Sequence, residues 1–119
     1  MNVVTVSVDQ IIFKQPIFVG ELLICLAKVN YVGSTSMEIG IKVVAENLTT
    51  GEKRHTNTCF FTMVAVNKDG KPCPVPKLEL QNDIDRFRFK EAQVRRQLQR
   101  KYKEAHFEEK TVIRQKNNL

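Results

Sequence analysis

Apolar and polar positions alternate almost from the first residue. Val3 to Phe13 predicts one long strand that breaks at Pro16, and Phe18-Val19-Gly20-Glu21 predicts a turn. Glu21 to Val32 predicts a second strand, apolar enough to be buried on much of both faces. Gly33-Ser34 interrupts the pattern. From Thr35 to Leu48 the period is two, with Met37, Ile39, Ile41, Val43 and Ala45 on one face and Glu38, Gly40, Lys42 and Glu46 on the other. After a turn at Thr49-Thr50-Gly51-Glu52, Lys53 to Asn67 is rich in Thr, Phe and Val and predicts a fourth strand. Lys68-Asp69-Gly70-Lys71 closes it. The connections are short, which favours antiparallel neighbours, because parallel pairing needs a long crossover.

Pro72, Pro74 and Pro76 then lack the N–H groups a sheet interior needs, so this stretch predicts an extended connector. Beyond it, Asn82 or Asp83 suits an N-cap. Ile84, Phe87, Val94, Leu98, Tyr102 and Ala105 recur at helical spacing as the packing stripe of an otherwise basic helix. The expected organisation is a sheet over residues 1–80, a helix over 81–107 and a polar, frayed tail over 108–119. The class is α+β. One helix, coming last and strongly charged, has little to lay on the sheet, so the sheet's apolar face is expected to pack on another subunit or on an element outside this chain.

Charge sharpens the picture. The 119 residues carry a net charge of +6, and between Arg86 and Glu104 there are eight basic residues and two acidic ones. The remainder therefore sums to zero, and any polyanionic partner is expected at the helix: a nucleotide phosphate, a nucleic acid or an acidic surface. The three cysteines, Cys25, Cys59 and Cys73, form no C-x-x-C pair, which argues against a zinc site or a disulfide framework and for a reducing, cytoplasmic compartment. No apolar run approaches the roughly 18 residues of a membrane span.

Four stretches together resemble one family: VVTVSVDQIIFKQPIFVGE, VGSTSMEI, FFTMVAVNKDGKPCPVPKL and RFRFKEAQVRR. They are similar to bacterial acyl-CoA thioesterases of the hotdog superfamily, the YciA type, related also to the mammalian cytosolic acyl-CoA hydrolase. The resemblance implies an antiparallel sheet wrapped around a long central helix, protomers that pair, and dimers that assemble into hexamers. It implies hydrolysis of acyl-CoA to free acid and CoA, with CoA as part of the substrate and no separate cofactor or metal. In that family the central helix carries the acidic residue taken as general base, and it precedes the strand that VVTVSVD matches. By this resemblance the chain begins after the central helix, and no catalytic residue carries over.

Asp9 is a weak candidate for a replacement base, against a structural role at a strand bend. Gly33, Ser34, Thr35 and Ser36 match a family stretch that lies beside bound CoA. Arg95, Arg96, Arg100 and Lys101 suit the CoA phosphates. His55 and Cys59, four apart, are expected on one strand face but roughly 13 Å apart, too far to form a nucleophile–base pair. His106 is expected in the last turns of the helix, where a cation suits the dipole. The leading reading is an acyl-CoA thioester hydrolase family member, inactive as this chain alone. The alternative is a non-catalytic hotdog module that assembles with itself or with a longer relative. A basic nucleic-acid-binding protein ranks third, because aromatic residues are sparse along the helix.

Overall fold

A computed structural model describes residues 1–9 and 11–116. The chain forms two compact units, Met1–Leu80 and Gln81–Leu119. The first is an antiparallel sheet of β1 (Asn2–Val8), β2 (Ile12–Phe13), β3 (Leu22–Val32), β4 (Ser36–Glu46) and β5 (Lys53–Val66). The order is β1-β5-β4-β3, with β2 also paired to β5. The second unit is one helix, α1 (Asp83–Lys116). The α+β class and the four long antiparallel strands thus agree with the sequence pattern.

Three register shifts shape the sheet. Each inserts one unpaired residue: Val6 in β1, Asn30 in β3 and Thr56 in β5. Such bulges bend a strand, raise its twist and re-aim side chains. The pairing departs from the sequence pattern in two places. The single strand expected over Val3–Phe13 is two, because pairing to β5 lapses after Val8 and resumes at Ile12. Asp9 falls in the gap, with its N–H donating to the Phe60 carbonyl at 2.9 Å. The apolar run of β3, expected to be buried on both faces, instead forms a sheet edge, with Leu22, Leu23 and Leu26 about half exposed. Apolar content alone does not separate a central strand from an edge strand awaiting a partner.

The turns follow from side-chain chemistry. Asn47 Oδ1 accepts from the N–H groups of Thr49 and Thr50, and Gly51, at φ 75°, supplies the left-handed residue that returns the chain into β5. The proline-rich stretch is more closely attached than a free connector. Pro72 bridges to Val66, the Cys73 N–H donates to the Ala65 carbonyl, and the Val75 N–H donates to the Ser34 carbonyl.

What the sheet buries is small or polar. Its buried apolar residues are Ala45, Cys59 and Ala65; its buried polar ones are Asn30, Ser36, Glu38, Thr56 and Asn57. Large apolar side chains such as Val6, Phe13 and Phe18 stay more than half exposed. Asn30, the bulge residue of β3, turns its amide under Gly40 and donates to Glu38 Oε1 at 3.3 Å. A Cβ on Gly40 would lie 2.4 Å from Asn30 Nδ2, so any larger residue there must displace that amide or the strands around it.

In the helix unit, Asn82 is the N-cap: its Oδ1 accepts from the Asp85 N–H at 2.8 Å, and Asp85 Oδ2 accepts in return from the Gln81 N–H. The helix continues to Lys116, well past the end expected at residue 107. The Thr111 hydroxyl bonds back to the Phe107 carbonyl within it, and Arg114 and Lys116 complement its C-terminal dipole. The part of the expected frayed tail over 117–119 lies outside the described residues. His106 is therefore mid-helix, where its ring stacks on Tyr102 at 6.2 Å between centroids.

Candidate functional site

The β3–β4 hairpin is the best-defined candidate in the sheet unit. The Gly33 N–H donates to the Ser36 carbonyl at 2.8 Å, which leaves Ser34 and Thr35 as the tip. Both tip carbonyls are used: Ser34 accepts from the Val75 N–H and Thr35 from the Ala65 N–H, each at 2.9 Å. The tip is thus held from two sides by backbone and does not depend on its own side chains for its shape. The Ser34 side chain is exposed and that of Thr35 half-buried, while Ser36 is buried at the start of β4. The hydroxyls that can meet a ligand from solvent are those of Ser34 and Thr35. Such a rigid pair of short hydroxyls can bond amide or phosphate oxygens without ordering a long side chain.

A second fixed feature holds the loop before β3. Arg54 on β5 makes a two-pronged ion pair with Glu21, Nη1 to Oε2 at 2.8 Å and Nη2 to Oε1 at 2.9 Å. Its Nη2 also donates to the Pro16 carbonyl, and its guanidinium lies 5.5 Å from the centre of the Phe18 ring. The Phe18 N–H donates to Glu21 Oε1. The Arg54 hydrogen bonds, then that from the Phe18 N–H, hold the Glu21 carboxyl below its ordinary pKa, and the Glu21 carboxylate raises that of Arg54. The periodicity of the sequence did not single out this clamp. Its only trace there is a glutamate directly after the Gly20 turn.

The Thr56 bulge overturns the expected facing of His55 and Cys59. His55 pairs with Val44 and Cys59 with Ile41, and those partners sit three apart on β4, on opposite faces. His55 Nε2 lies 2.8 Å from Thr58 Oγ1 and 3.1 Å from the Asn57 carbonyl. Cys59 is buried, and burial, with a smaller contribution from Cys25, pushes its thiol pKa up. A raised thiol pKa leaves Cys59 a poor nucleophile. Asp9 is half-buried, and its backbone N–H donates to the Phe60 carbonyl of β5. Among the described residues, no group of three or more His, Cys, Asp or Glu is placed to hold a metal ion.

On α1, Arg95 and Arg96 are half-buried and Arg100 and Lys101 exposed. At about 100° per residue, Arg96 and Arg100 lie on one side, one turn apart, and Lys103 continues their row. Arg95 and Lys101 fall outside that row. The four residues are therefore not one patch; Arg96 and Arg100 are the pair suited to a shared anion.

With this geometry in place, the chain can be set beside known proteins. The thioesterase superfamily model matches residues 1–52. The protein VdlD of Helicobacter pylori is 52% identical over 95 residues, which cover 80% of this chain and 54% of VdlD. The acyl-CoA hydrolase of Bacillus cereus superposes with a TM-score of 0.77 at 33% identity, over 93% of this chain and 67% of that one. An apo-hexameric acyl-CoA thioesterase superposes with a TM-score of 0.77 at 40% identity, over 84% of this chain and 64% of that one. The chain belongs to the hotdog-fold acyl-CoA thioesterases of the thioesterase superfamily. It spans about half the length of the curated relatives it matches. No helix among the described residues is long and apolar enough to cross a membrane.

Proposed function

We propose that this protein works in acyl-CoA thioester hydrolysis, with CoA as part of the substrate and no separate cofactor. The observation that carries the reading is the match to the Bacillus cereus acyl-CoA hydrolase along nearly the whole chain. In the reaction, water adds to the thioester carbonyl carbon, the tetrahedral oxyanion collapses, the C–S bond breaks, and CoA leaves as a thiol after taking up a proton. Ser34 and Thr35, beside Gly33 and Ser36, hold the pantetheine amides. Arg96 and Arg100, flanked by Arg95 and Lys101, hold the phosphates, which guanidinium groups bind through paired hydrogen bonds. The compartment is the cytoplasm, and the working form is a homo-oligomer, a dimer or a hexamer. CoA binding should weaken with salt and with Arg96→Gln/Arg100→Gln. Equal affinity of that variant and the wild type by calorimetry would remove the helix from the phosphate site.

The 119 residues alone are expected to hydrolyse acyl-CoA negligibly. His55 Nε2, 2.8 Å from Thr58 Oγ1, also lies 3.1 Å from the Asn57 carbonyl, which holds its ring against β5; a general base and an oxyanion donor contribute about 10²- to 10⁴-fold and about 10²- to 10³-fold respectively. Thiol release from short- and medium-chain acyl-CoA tests this, using the bare chain and the chain fused to the N-terminal segment of the Bacillus cereus hydrolase. Turnover by the fusion alone supports the reading. Turnover by the bare chain points to Asp9, and Asp9→Asn then becomes the decisive variant. The second reading, a non-catalytic assembling module, draws on the exposed apolar sheet residues and requires that the fusion stay inactive.

A further inference from the structure

The segment between β2 and β3 has no strand partner, and its residues 15–20 are all exposed. At one end the Lys14 and Gln15 N–H groups share the Thr56 carbonyl, at 2.7 Å and 3.3 Å. At the other, Gly20 has φ 93°, in the left-handed region that glycine enters without strain. Between these two points, among the described residues, every hydrogen bond from the segment to the sheet is made by Arg54. Its guanidinium takes the Pro16 carbonyl and both oxygens of Glu21, and it lies over the Phe18 ring. Residues 18–21 are closed on themselves. The Glu21 N–H donates to the Phe18 carbonyl at 3.2 Å, and the Phe18 N–H donates to Glu21 Oε1 at 2.7 Å, the same oxygen that accepts from Arg54 Nη2. Arg54 stands opposite Ala45, on the face that carries Ile41 and Val43. Ala45 is 0% exposed, although Ile41 and Val43 are only half-buried.

We propose that residues 15–21 are a strap over the Ala45 end of the sheet's apolar face, latched by Arg54 and able to open as a unit while the sheet stays folded. The latch is all-or-none because its contacts converge. A guanidinium meets a carboxylate through two parallel bonds in one geometry, so Glu21 cannot leave Arg54 by degrees. When it leaves, the oxygen that also holds the Phe18 N–H goes with it, and the ring loses its cation. Little else opposes release, since Phe18 and Val19 are each more than half exposed. Segments with few buried contacts and few hydrogen bonds are the ones that open locally. The strap swings about Gln15–Pro16 on the β2 side and Gly20 on the β3 side. Every residue involved belongs to the sheet unit, so the proposal needs neither α1 nor the thioesterase reading.

The test is amide hydrogen exchange on the full 119-residue chain. In Arg54→Met the Phe18 and Glu21 N–H groups are expected to exchange about tenfold faster or more, the scale of a lost hydrogen bond to a charged group. The Lys14 N–H, which precedes the strap, and the Ala65 N–H, bonded to the Thr35 carbonyl, are expected to keep their wild-type rates. Unchanged exchange at Phe18 and Glu21 overturns the proposal, because something other than Arg54 then holds the strap. Equal acceleration at Phe18, Glu21 and Ala65 also overturns it, because the strap then opens only with the sheet. Ala45→Cys tests the covering role: alkylation at position 45 is expected to be faster when Arg54→Met is added, and an equal rate overturns the placement over that end. If Arg54→Met misfolds, Glu21→Gln leaves β5 untouched and gives the same comparison at the Phe18 N–H.

Discussion

Gly40→Ala is a small change with a large expected consequence. The added Cβ would stand 2.4 Å from Asn30 Nδ2, 3.3 Å from Asn30 Cγ and 3.5 Å from Phe60 Cε1. An end-of-chain amide on the surface would swing aside at little cost. Asn30 is instead only 7% exposed, sits at a bulge and donates to Glu38, itself 8% exposed. The methyl group therefore forces either a backbone shift between β3 and β4 or loss of that hydrogen bond. Overpacking of a closed site costs about 1–3 kcal/mol, and a hydrogen bond to a charged group contributes about 1.5–3 kcal/mol. The two are alternatives, so about 2 kcal/mol is the expected destabilisation. With a urea m-value of roughly 1–3 kcal/mol/M, the midpoint should fall by about 1 M. The double variant Asn30→Ala/Gly40→Ala isolates the cause. If the clash dominates, Gly40→Ala should cost almost nothing in the Asn30→Ala background, and the coupling should exceed about 1 kcal/mol. A single-variant loss within about 0.5 kcal/mol, or strict additivity, would refute the reasoning.

Three further outcomes are expected. Glu21 has a folded-state pKa below the ordinary 4.5, so its stabilising contribution is complete above that value and is lost as pH falls through the lowered one; Arg54→Met should flatten this acid limb of a stability–pH curve. In the native protein an exposed Cys25 should react with a thiol reagent well before Cys59, whose buried thiol resists deprotonation; mass mapping of the labelled sites should find Cys59 modified only after denaturation. Asn82→Ala should destabilise the start of α1 by about 1 kcal/mol while Asn82→Asp should not, read by amide exchange over residues 83–86.

The order of the elements could be read from the residues alone, because the signals are local. Period two marks Met37 to Ala45 as a strand with one apolar face, and Met37, Ile39 and Ile41 of that face lie opposite Met63, Phe61 and Cys59 of β5. Glycine and asparagine mark the turns, and the cap before α1 stands where an Asn-Asp pair precedes helical spacing. The concentration of charge at Arg86–Glu104 is likewise a property of the string. Parity of facing was not accessible in this way. Counting by twos puts His55 with Cys59, but one unpaired residue at Thr56 moves them to opposite faces, and a bulge becomes visible only once two strands are aligned. The same holds for Asn30, an ordinary polar residue until its bulge turns it under Gly40 against Glu38. Arg54 and Glu21 are 33 residues apart, and only folding brings their charges to 2.8 Å. The apolar run of β3 is the same string whether the strand lies inside a sheet or at its edge; the pairing order decided that it lies at the edge. Composition and periodicity state what each segment needs to cover, and the three-dimensional partner set decides what covers it.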